Sequence, residues 1–295
     1  MNLKKRIINK ICRLGFLNFM PDESYLKLRF KTEMGYPLDL KSPKTFNEKL
    51  QWLKLYDRNP EYTKLVDKYG VRKYIADKIG DEYLIPLLGV WDNFDDIDFD
   101  KLPEQFVLKC THDSGGIVIC TDKLKFDKAL ARKKINKSLK RNFFYLTREW
   151  PYKNVKPKIL AECYMEDKIC GELIDYKFFC FKGNVPTVMV CIGRKYGDTK
   201  FYFFDSIWNL MRINKRGIQE KPDFSLPKPH NIEKMFELAK VLSSDFPFVR
   251  IDLYNCNRKI YFGEITFFPD SGFDNNLIAE TDKWFGSMIN LEELK

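Results

Sequence analysis

The stretch Phe248–Gly272, FVRIDLYNCNRKIYFGEITFFPDSG, constrains the fold of this chain more than any other. It reads as two β-strands joined by a polar turn. In the first, Val249, Ile251 and Leu253 alternate with Arg250 and Asp252. Asn255–Lys259 is a turn-rich break and Ile260–Phe267 is the return strand. Closing a five-residue loop pairs Tyr254 with Ile260 and sets Asp252 opposite Phe262. Glu264 and Thr266 share the parity of Asp252, so all three lie on one sheet face. The other face is apolar, and Phe246, Phe248, Phe267 and Phe268 flank the pair, so the hairpin is central rather than an edge. Carboxylates are rarely buried unless paired or ligating. Asp252 and Glu264, near Arg250 and a Pro-Asp-Ser-Gly loop, are therefore candidates to hold a hard cation such as Mg²⁺, shared with substrate phosphates. The alternative is an ordinary set of solvated ion pairs.

A second stretch, QFVLKCTHDSGGIVIC over Gln105–Cys120, reads as strand, small polar loop and strand. A hairpin tipped by Gly115-Gly116 lets backbone N–H groups approach phosphate oxygens closely. Lys109, inside an apolar strand, requires an anionic partner. Most Gly-Gly hairpins are only turns, so the lysine at the base is what points to phosphate.

Between and around these stretches, Asp22–Met34 is a helix. Thr45 and Glu48 form a capping box ahead of a helix over Phe46–Tyr56, which buries Leu50, Leu53 and Trp52. A single helix is expected over Tyr62–Ile79, with Lys68 and Arg72 among its solvated residues. Ala129–Phe143 is a very basic helix. Ile159–Met165 is a buried strand containing Glu162, and Asp175–Phe181 with Val185–Ile192 forms a hairpin that puts Asp175 and Lys177 on one face. Asn231–Leu242 and Asn276–Ile289 are further helices.

The composition narrows the function classes. At 295 residues with 44% hydrophobic content, the chain can build two lobes around a sizeable core. No apolar run approaches the roughly 20 residues that span a bilayer. The basic start lacks the apolar core and cleavage site of a secretory signal. The 8 cysteines are scattered without a C-x-x-C pair, as expected of small buried hydrophobes in a reducing cytosol. With only 2 histidines, a histidine-based metal cluster is nearly excluded. The net charge of +10 fits an anionic partner. Basic residues beside Phe143, Phe144, Tyr145 and Trp150 raise nucleic acid, but no recognisable nucleic-acid module surrounds them, so no nucleic-acid partner is expected.

Met1–Met20 holds Lys4, Lys5, Arg6, Lys10 and Arg13 and no acid, with Leu3, Ile7, Ile11, Leu14 and Leu17 at helical spacing. Such a basic amphipathic helix can dock peripherally on the anionic inner face of a membrane. It can equally pack its apolar stripe on the body of the protein, and its shortness favours packing.

The order of these pieces resembles the ATP-grasp family. FVLKCTHDSGG, ILAECYM, DYKFFCFKGN, VRIDLY and YFGEITFFPDSG match its lysine strand, phosphate loop, hinge strand and metal strands in sequence, over roughly Tyr62–Ile289. NEKLQWLK, KCTHDSGG, DYKFFCF and GEITFFPDSG are similar to the teichuronopeptide-biosynthesis, or TupA-like, amidoligase branch of surface-polysaccharide enzymes. The resemblance implies an α+β, ATP-grasp fold, with nucleotide held between two lobes of antiparallel sheet and a helical N-terminal extension. It implies an extension over 1–60, a part with the lysine strand and lid over 61–158, and a metal-bearing lobe over 159–295. ATP and Mg²⁺ are the implied cofactors. Lys109 would bind the α/β-phosphates, with a lid of His112, Ser114, Gly115 and Gly116. Glu162, Cys163 and Tyr164 would line the adenine hinge, and Glu166 or Asp167 would reach the ribose. Lys177 would be a second phosphate contact. Asp252, Glu264 and Thr266 would hold Mg²⁺, Thr266 standing where the family has Asn. Arg250 would face the transferred phosphoryl group.

The implied chemistry is carboxylate–amine ligation through an acylphosphate, which needs positioning and charge neutralisation rather than a protein nucleophile. Arg194, Lys195 and Arg212 are candidates for the acceptor carboxylate. The expected partners are an acidic glycan, as polymer or as a sugar-nucleotide or lipid-linked acceptor of capsule, O-antigen or teichuronic type, and an amino acid or other amine. Competing readings are a glycosyltransferase, a glycan kinase and a basic binding module. The D-x-D letters that a sugar-nucleotide enzyme often shows occur at Asp96-Ile97-Asp98 and Asp98-Phe99-Asp100, in a loop rather than at a strand end.

Overall fold

The computed structural model describes residues 3–294. Five helices precede the first strand: α1 (Leu3–Arg13), α2 (Asp22–Met34), α3 (Phe46–Tyr56), α4 (Glu61–Val66) and α5 (Val71–Ile79). The box expected at the start of α3 is formed: Thr45 Oγ1 accepts the Glu48 N–H, and the Glu48 carboxylate accepts that of Thr45 at 3.0 Å. The single helix expected over Tyr62–Ile79 is instead two. The Asp67 carboxylate accepts the Tyr69 N–H and offers the backbone an alternative to the helix at that point.

Two antiparallel sheets follow. The first, in the order β1-β4-β2-β3, contains β1 (Leu87–Trp91), β2 (Phe106–Cys110), β3 (Ile117–Cys120) and β4 (Ile159–Cys163). Ala131 and Ile135 of α6 (Lys128–Leu139) pack with Phe106 and Leu108 of this sheet, and α7 (Phe144–Thr147) lies on the connection from α6 back to β4. The second sheet has the order β10-β9-β5-β6-β7-β8. Its strands are β5 (Asp175–Phe181), β6 (Asn184–Ile192), β7 (Lys200–Phe204), β8 (Leu210–Met211), β9 (Val249–Cys256) and β10 (Lys259–Thr266). Around it lie α8 (Lys215–Gln219), α9 (Ile232–Ser243) and α10 (Ala279–Ser287).

Alternation along β5 and β9 decides what covers each face of the second sheet. Phe178 meets Phe236 of α9 at 5.0 Å between ring centroids. Phe179, Phe181 and Phe248 face the other way and enclose Phe46 of α3 and Phe285 of α10. Lys177 and Asp252 have that same parity and are paired across β5 and β9. One sheet face thus begins as an aromatic core under α3 and α10 and continues as a charged floor.

The register of the central hairpin differs from the expected one. The turn is Asn257-Arg258, both left-handed (φ 51° and 65°), so Cys256 pairs with Lys259 and Leu253 with Phe262. Gly263 is then an extra residue, a β-bulge, and Glu264 pairs with Asp252 and Thr266 with Arg250. Without the bulge, Glu264 would share the core face with Phe262. The expected grouping of Asp252, Glu264 and Thr266 therefore holds, by a different pairing.

The packing expected of α1 is also corrected. Ile8 and Cys12 face Tyr25, Leu26 and Phe30, joined by Leu17 and Met20. Leu3, Ile7 and Leu14, from the stripe expected to pack, are exposed. The helix carries two apolar rows, and the body covers the other one. Met1 and Asn2, the start of the expected helix, lie outside the described residues.

Candidate active site

The charged floor is a buried ion cluster. Arg250 donates from Nε to Asp252 Oδ1 at 2.7 Å and from Nη2 to Oδ2 at 2.8 Å, the forked geometry that guanidinium favours. Lys177 pairs with Asp252 as well, and with Asp175 at 2.8 Å. Arg194 reaches Asp175 at 3.0 Å. Burial opposes the charge on Asp252, but Arg250 and Lys177 hold its carboxyl below the usual range. Burial likewise opposes the charge on Lys177, and Asp252 reverses that to leave its pKa raised. Glu264 sits at the rim, 40% exposed, 3.4 Å from Arg250. Thr266 accepts from Arg250 at 3.3 Å and lies 3.4 Å from Glu264.

The first sheet supplies the opposite wall. Lys109 on β2 is 2.6 Å from Glu162 on β4, a diagonal pair, since Glu162 stands opposite Val107 and Lys109 opposite Leu160. Arg72 on α5 completes the group, 3.1 Å from Glu162 and 2.9 Å from the Ile85 carbonyl. Sequence reading placed Arg72 on a solvated face, and no local signal distinguished it. In the β2–β3 loop, the Gly115 and Gly116 N–H groups donate to Asp113 Oδ1 at 3.2 and 3.0 Å. Lys68 donates to the Asp113 carbonyl at 2.6 Å. A loop built this way keeps its N–H groups aligned, with a carboxylate engaging them.

A cavity of about 580 Å³ lies between the two walls. Lys109 and Ser114 line it from the first sheet, and Lys177, Arg250, Asp252 and Glu264 from the second. It adjoins a slot of about 390 Å³, with which it shares Lys109, Ile117, Arg194 and Tyr254. The slot is apolar on Ile85, Val107, Ile119 and Leu173, and polar at Glu162 and Glu166, with Cys163 and Tyr164 between them. Asp270, Asp274 and Asn276 also line the cavity. Burial, with Asp270 nearby, pushes the Asp274 carboxyl up to about 6.

The loop carrying these last residues is held from the other end of the chain. Asn47, Gln51 and Lys54 recur at i, i+4 and i+7 on one face of α3. Asn47 donates to the Asp274 carbonyl and accepts its N–H at 2.8 Å. Gln51 donates to the carbonyls of Ser271 and Gly272, and Lys54 to those of Ser271 and Thr147 at 2.7 and 3.0 Å. All three side chains are buried. They hold Asp270, Ser271 and Gly272 in successive left-handed conformations (φ 47°, 54° and 64°), strained for the first two. At Gly272 a Cβ would stand 2.4 Å from Gln51 Nε2, so only glycine fits under that clamp. The NEKLQWLK wording is thus a packed polar rail for PDSG.

Several expected site residues lie elsewhere. His112 is buried with Nε2 3.1 Å from the carbonyls of Ser138 and Arg141, behind the lid rather than in it. It has the right position in sequence, but its ring serves α6. Asp167 accepts the N–H groups of Ile169, Cys170 and Asn257, so of the two acids expected at the ribose only Glu166 lines the slot. Arg212 commits its fork to the carbonyls of Gly217, Glu220 and Lys221. Lys195 borders the slot, near Glu166, rather than the cavity. Asp98 accepts the Asp100 N–H and pairs with Lys101 at 3.2 Å, so the D-x-D letters serve a local turn.

The donor set suits a hard cation. Asp252 and Glu264 offer carboxylate oxygens from paired positions, and the buried Oδ1 of Asp175 has no partner among the described residues. Mg²⁺ takes one or two carboxylates and completes its shell with phosphates and water. Its binding requires Arg250 and Lys177 to yield part of their hold on Asp252.

Residues 48–290 match a family model described as TupA-like ATPgrasp. No curated protein matches. Similar solved structures include N5-carboxyaminoimidazole synthetase from Staphylococcus aureus, at 12% identity and TM-score 0.39, covering 69% of this chain and 44% of that one. D-alanine–D-alanine ligase from Bacillus anthracis complexed with ATP matches at 17% identity and TM-score 0.41, covering 76% and 64%. The ATP-grasp ligase PsnB, complexed with a precursor variant, Mg and ADP, matches at 10% identity and TM-score 0.42, covering 84% and 66%. The chain spans less than two thirds of the length of each of the three. The matched segment contains α3 from Glu48 onward, both walls of the cleft and the clamped loop, and on that match the chain belongs to the TupA-like ATP-grasp family.

Proposed function

We propose that the protein is an ATP- and Mg²⁺-dependent carboxylate–amine ligase that forms an amide on an acidic surface polysaccharide or its sugar-nucleotide or lipid-linked precursor. The observation that carries the reading is the single cavity with Lys109 on one wall and Lys177, Arg250, Asp252 and Glu264 on the other. The apolar slot fits an adenine ring, and the lysines and arginine beyond it fit a triphosphate. Bound by Asp252 and Glu264, Mg²⁺ supplies charge neutralisation at the phosphates.

The chain's own residues then position and stabilise. A substrate carboxylate oxygen attacks the γ-phosphorus, the bond to the β–γ bridging oxygen breaks, and ADP leaves. Arg250 and Lys177 meet the charge on the transferring group. The ammonium of the second substrate gives one proton to a carboxylate or to water, the free amine nitrogen attacks the acyl carbon, the bond to the phosphate oxygen breaks to release phosphate, and the nitrogen gives a second proton to solvent. Arg194, at the boundary of cavity and slot, fits the carboxylate substrate, and Asp270 and Asp274 fit an amine arriving as its ammonium. The glycan acceptor rests on the resemblance to the teichuronopeptide branch.

The test is product analysis with ATP, Mg²⁺, a uronic-acid oligosaccharide and a panel of amino acids. The expected result is an amide with one ADP and one phosphate per product. A phosphorylated oligosaccharide assigns the site to a kinase. Stabilisation by UDP-sugars and not by ATP overturns the reading in favour of a glycosyltransferase.

A further inference from the structure

α1 shows the body only one of its two apolar rows. The inner row, Ile8 and Cys12, packs against Tyr25, Leu26 and Phe30. At 3.6 residues per turn, Leu3, Ile7 and Leu14 project roughly opposite to it. Leu3 is 68% exposed and Leu14 61%, and in the turn after the helix Phe16 is 65% and Phe19 84% exposed. Scattered exposed apolar residues need no explanation, but five fall within one segment of 17 residues.

The charges around this face are of one sign. Arg6, Lys10 and Arg13 recur at i, i+4 and i+7 along one flank and are exposed. None of the three makes an ion pair among the described residues, whereas Lys5, turned toward the body, meets Glu33 at 2.6 Å. No acid occurs before Asp22. A second copy of this chain is a poor occupant, because a two-fold contact would set basic row against basic row. A protein groove would satisfy the apolar row alone. An anionic lipid surface satisfies both, with apolar side chains at the acyl boundary and cations at the headgroups.

We infer that α1 and the turn through Phe19 form a peripheral docking face for anionic phospholipid bilayers. The inner row fixes the helix to the protein, so membrane contact requires no unfolding of the segment. This holds independently of which acceptor the cleft takes. No helix among the described residues is long and apolar enough to cross a membrane, so the contact is peripheral.

The experiment is co-sedimentation of the full chain with vesicles of phosphatidylcholine alone, or with one third phosphatidylglycerol. Wild type is expected to pellet with the anionic vesicles only and to be released by salt. Arg6→Gln, Lys10→Gln and Arg13→Gln should each lower partitioning roughly fivefold. The combined Leu14→Ser, Phe16→Ser, Phe19→Ser variant should lose binding while its circular dichroism and ATP affinity stay unchanged. Failure of wild type to bind, or undiminished binding by the serine variant, overturns the inference. So does a wild-type dimer in light scattering that the serine variant splits, since the face would then be a protein interface.

Discussion

Asp252 and Glu264 stand directly opposite one another on β9 and β10 because Gly263 is an additional residue between Phe262 and Glu264. A Cβ at position 263 would lie 3.0 Å from the Asp252 carbonyl oxygen and 3.1 Å from the Tyr254 ring. Gly263→Ala should therefore push β9 and β10 apart at the carboxylate pair. Stability should fall by about 1–2 kcal/mol, and turnover by about tenfold or more, since small misplacements at a reacting centre are costly. Thermal melts and initial rates of ADP formation check the two together.

Glu264→Gln is the cleaner test of the carboxylate pair than Asp252→Asn. Glu264 is 40% exposed, so its amide should leave the melting temperature within about 2 °C of wild type. Turnover should fall about a hundredfold or more and demand higher Mg²⁺. Asp252→Asn strips the countercharge from buried Arg250 and Lys177, and should also cost about 3–5 kcal/mol of stability. A Glu264→Gln protein with wild-type rates at limiting Mg²⁺ would refute the metal role.

How far the site could be read from sequence depended on how local its cause was. The Thr45–Glu48 box, the alternation of β9 and the lysine of β2 are short-range patterns, and each is present in the structure. The bulge is not, because a single inserted residue leaves a parity argument looking sound while the pairing shifts beneath it. Asn47, Gln51 and Lys54 gave no local signal of their role, since the loop they hold lies more than two hundred residues away. His112 misled for the converse reason: it sits within the lid sequence but turns its ring toward α6. The exposed row of α1 misled because two apolar rows fit one helix, and hydrophobic spacing alone does not say which one the body takes.

Arg72 and Lys109 share the carboxylate of Glu162. Without Arg72, Glu162 would be left to Lys109 alone and would compete harder with phosphate for it. Arg72→Met should weaken ATP binding about fivefold and change kcat by less than about twofold. Steady-state kinetics with ATP as the varied substrate distinguishes this from a general loss of fold.

Lys54 gives the stability a pH dependence. Complete burial lowers its pKa to about 7 from the ordinary value of 10.5, while burial raises that of its neighbour Glu149. Between those two lysine values the unfolded chain binds the proton that the folded chain has released, so stability rises with pH across that window and is flat in this term below about 7. The slope is at most about 1.4 kcal/mol per pH unit. Denaturant melts of wild type should gain stability from pH 7.5 to 9.5 relative to Lys54→Met, which lacks the titrating group. Parallel profiles would count against it.

The tie between Asn47 and Asp274 joins positions 227 residues apart. Contacts that distant in sequence carry the loop-closure entropy of most of the chain. A nascent or partly folded molecule would own every charged group of the cleft and still lack a finished acceptor side. On the proposed reading, the amine side of the site is complete only when the two ends of the chain have met.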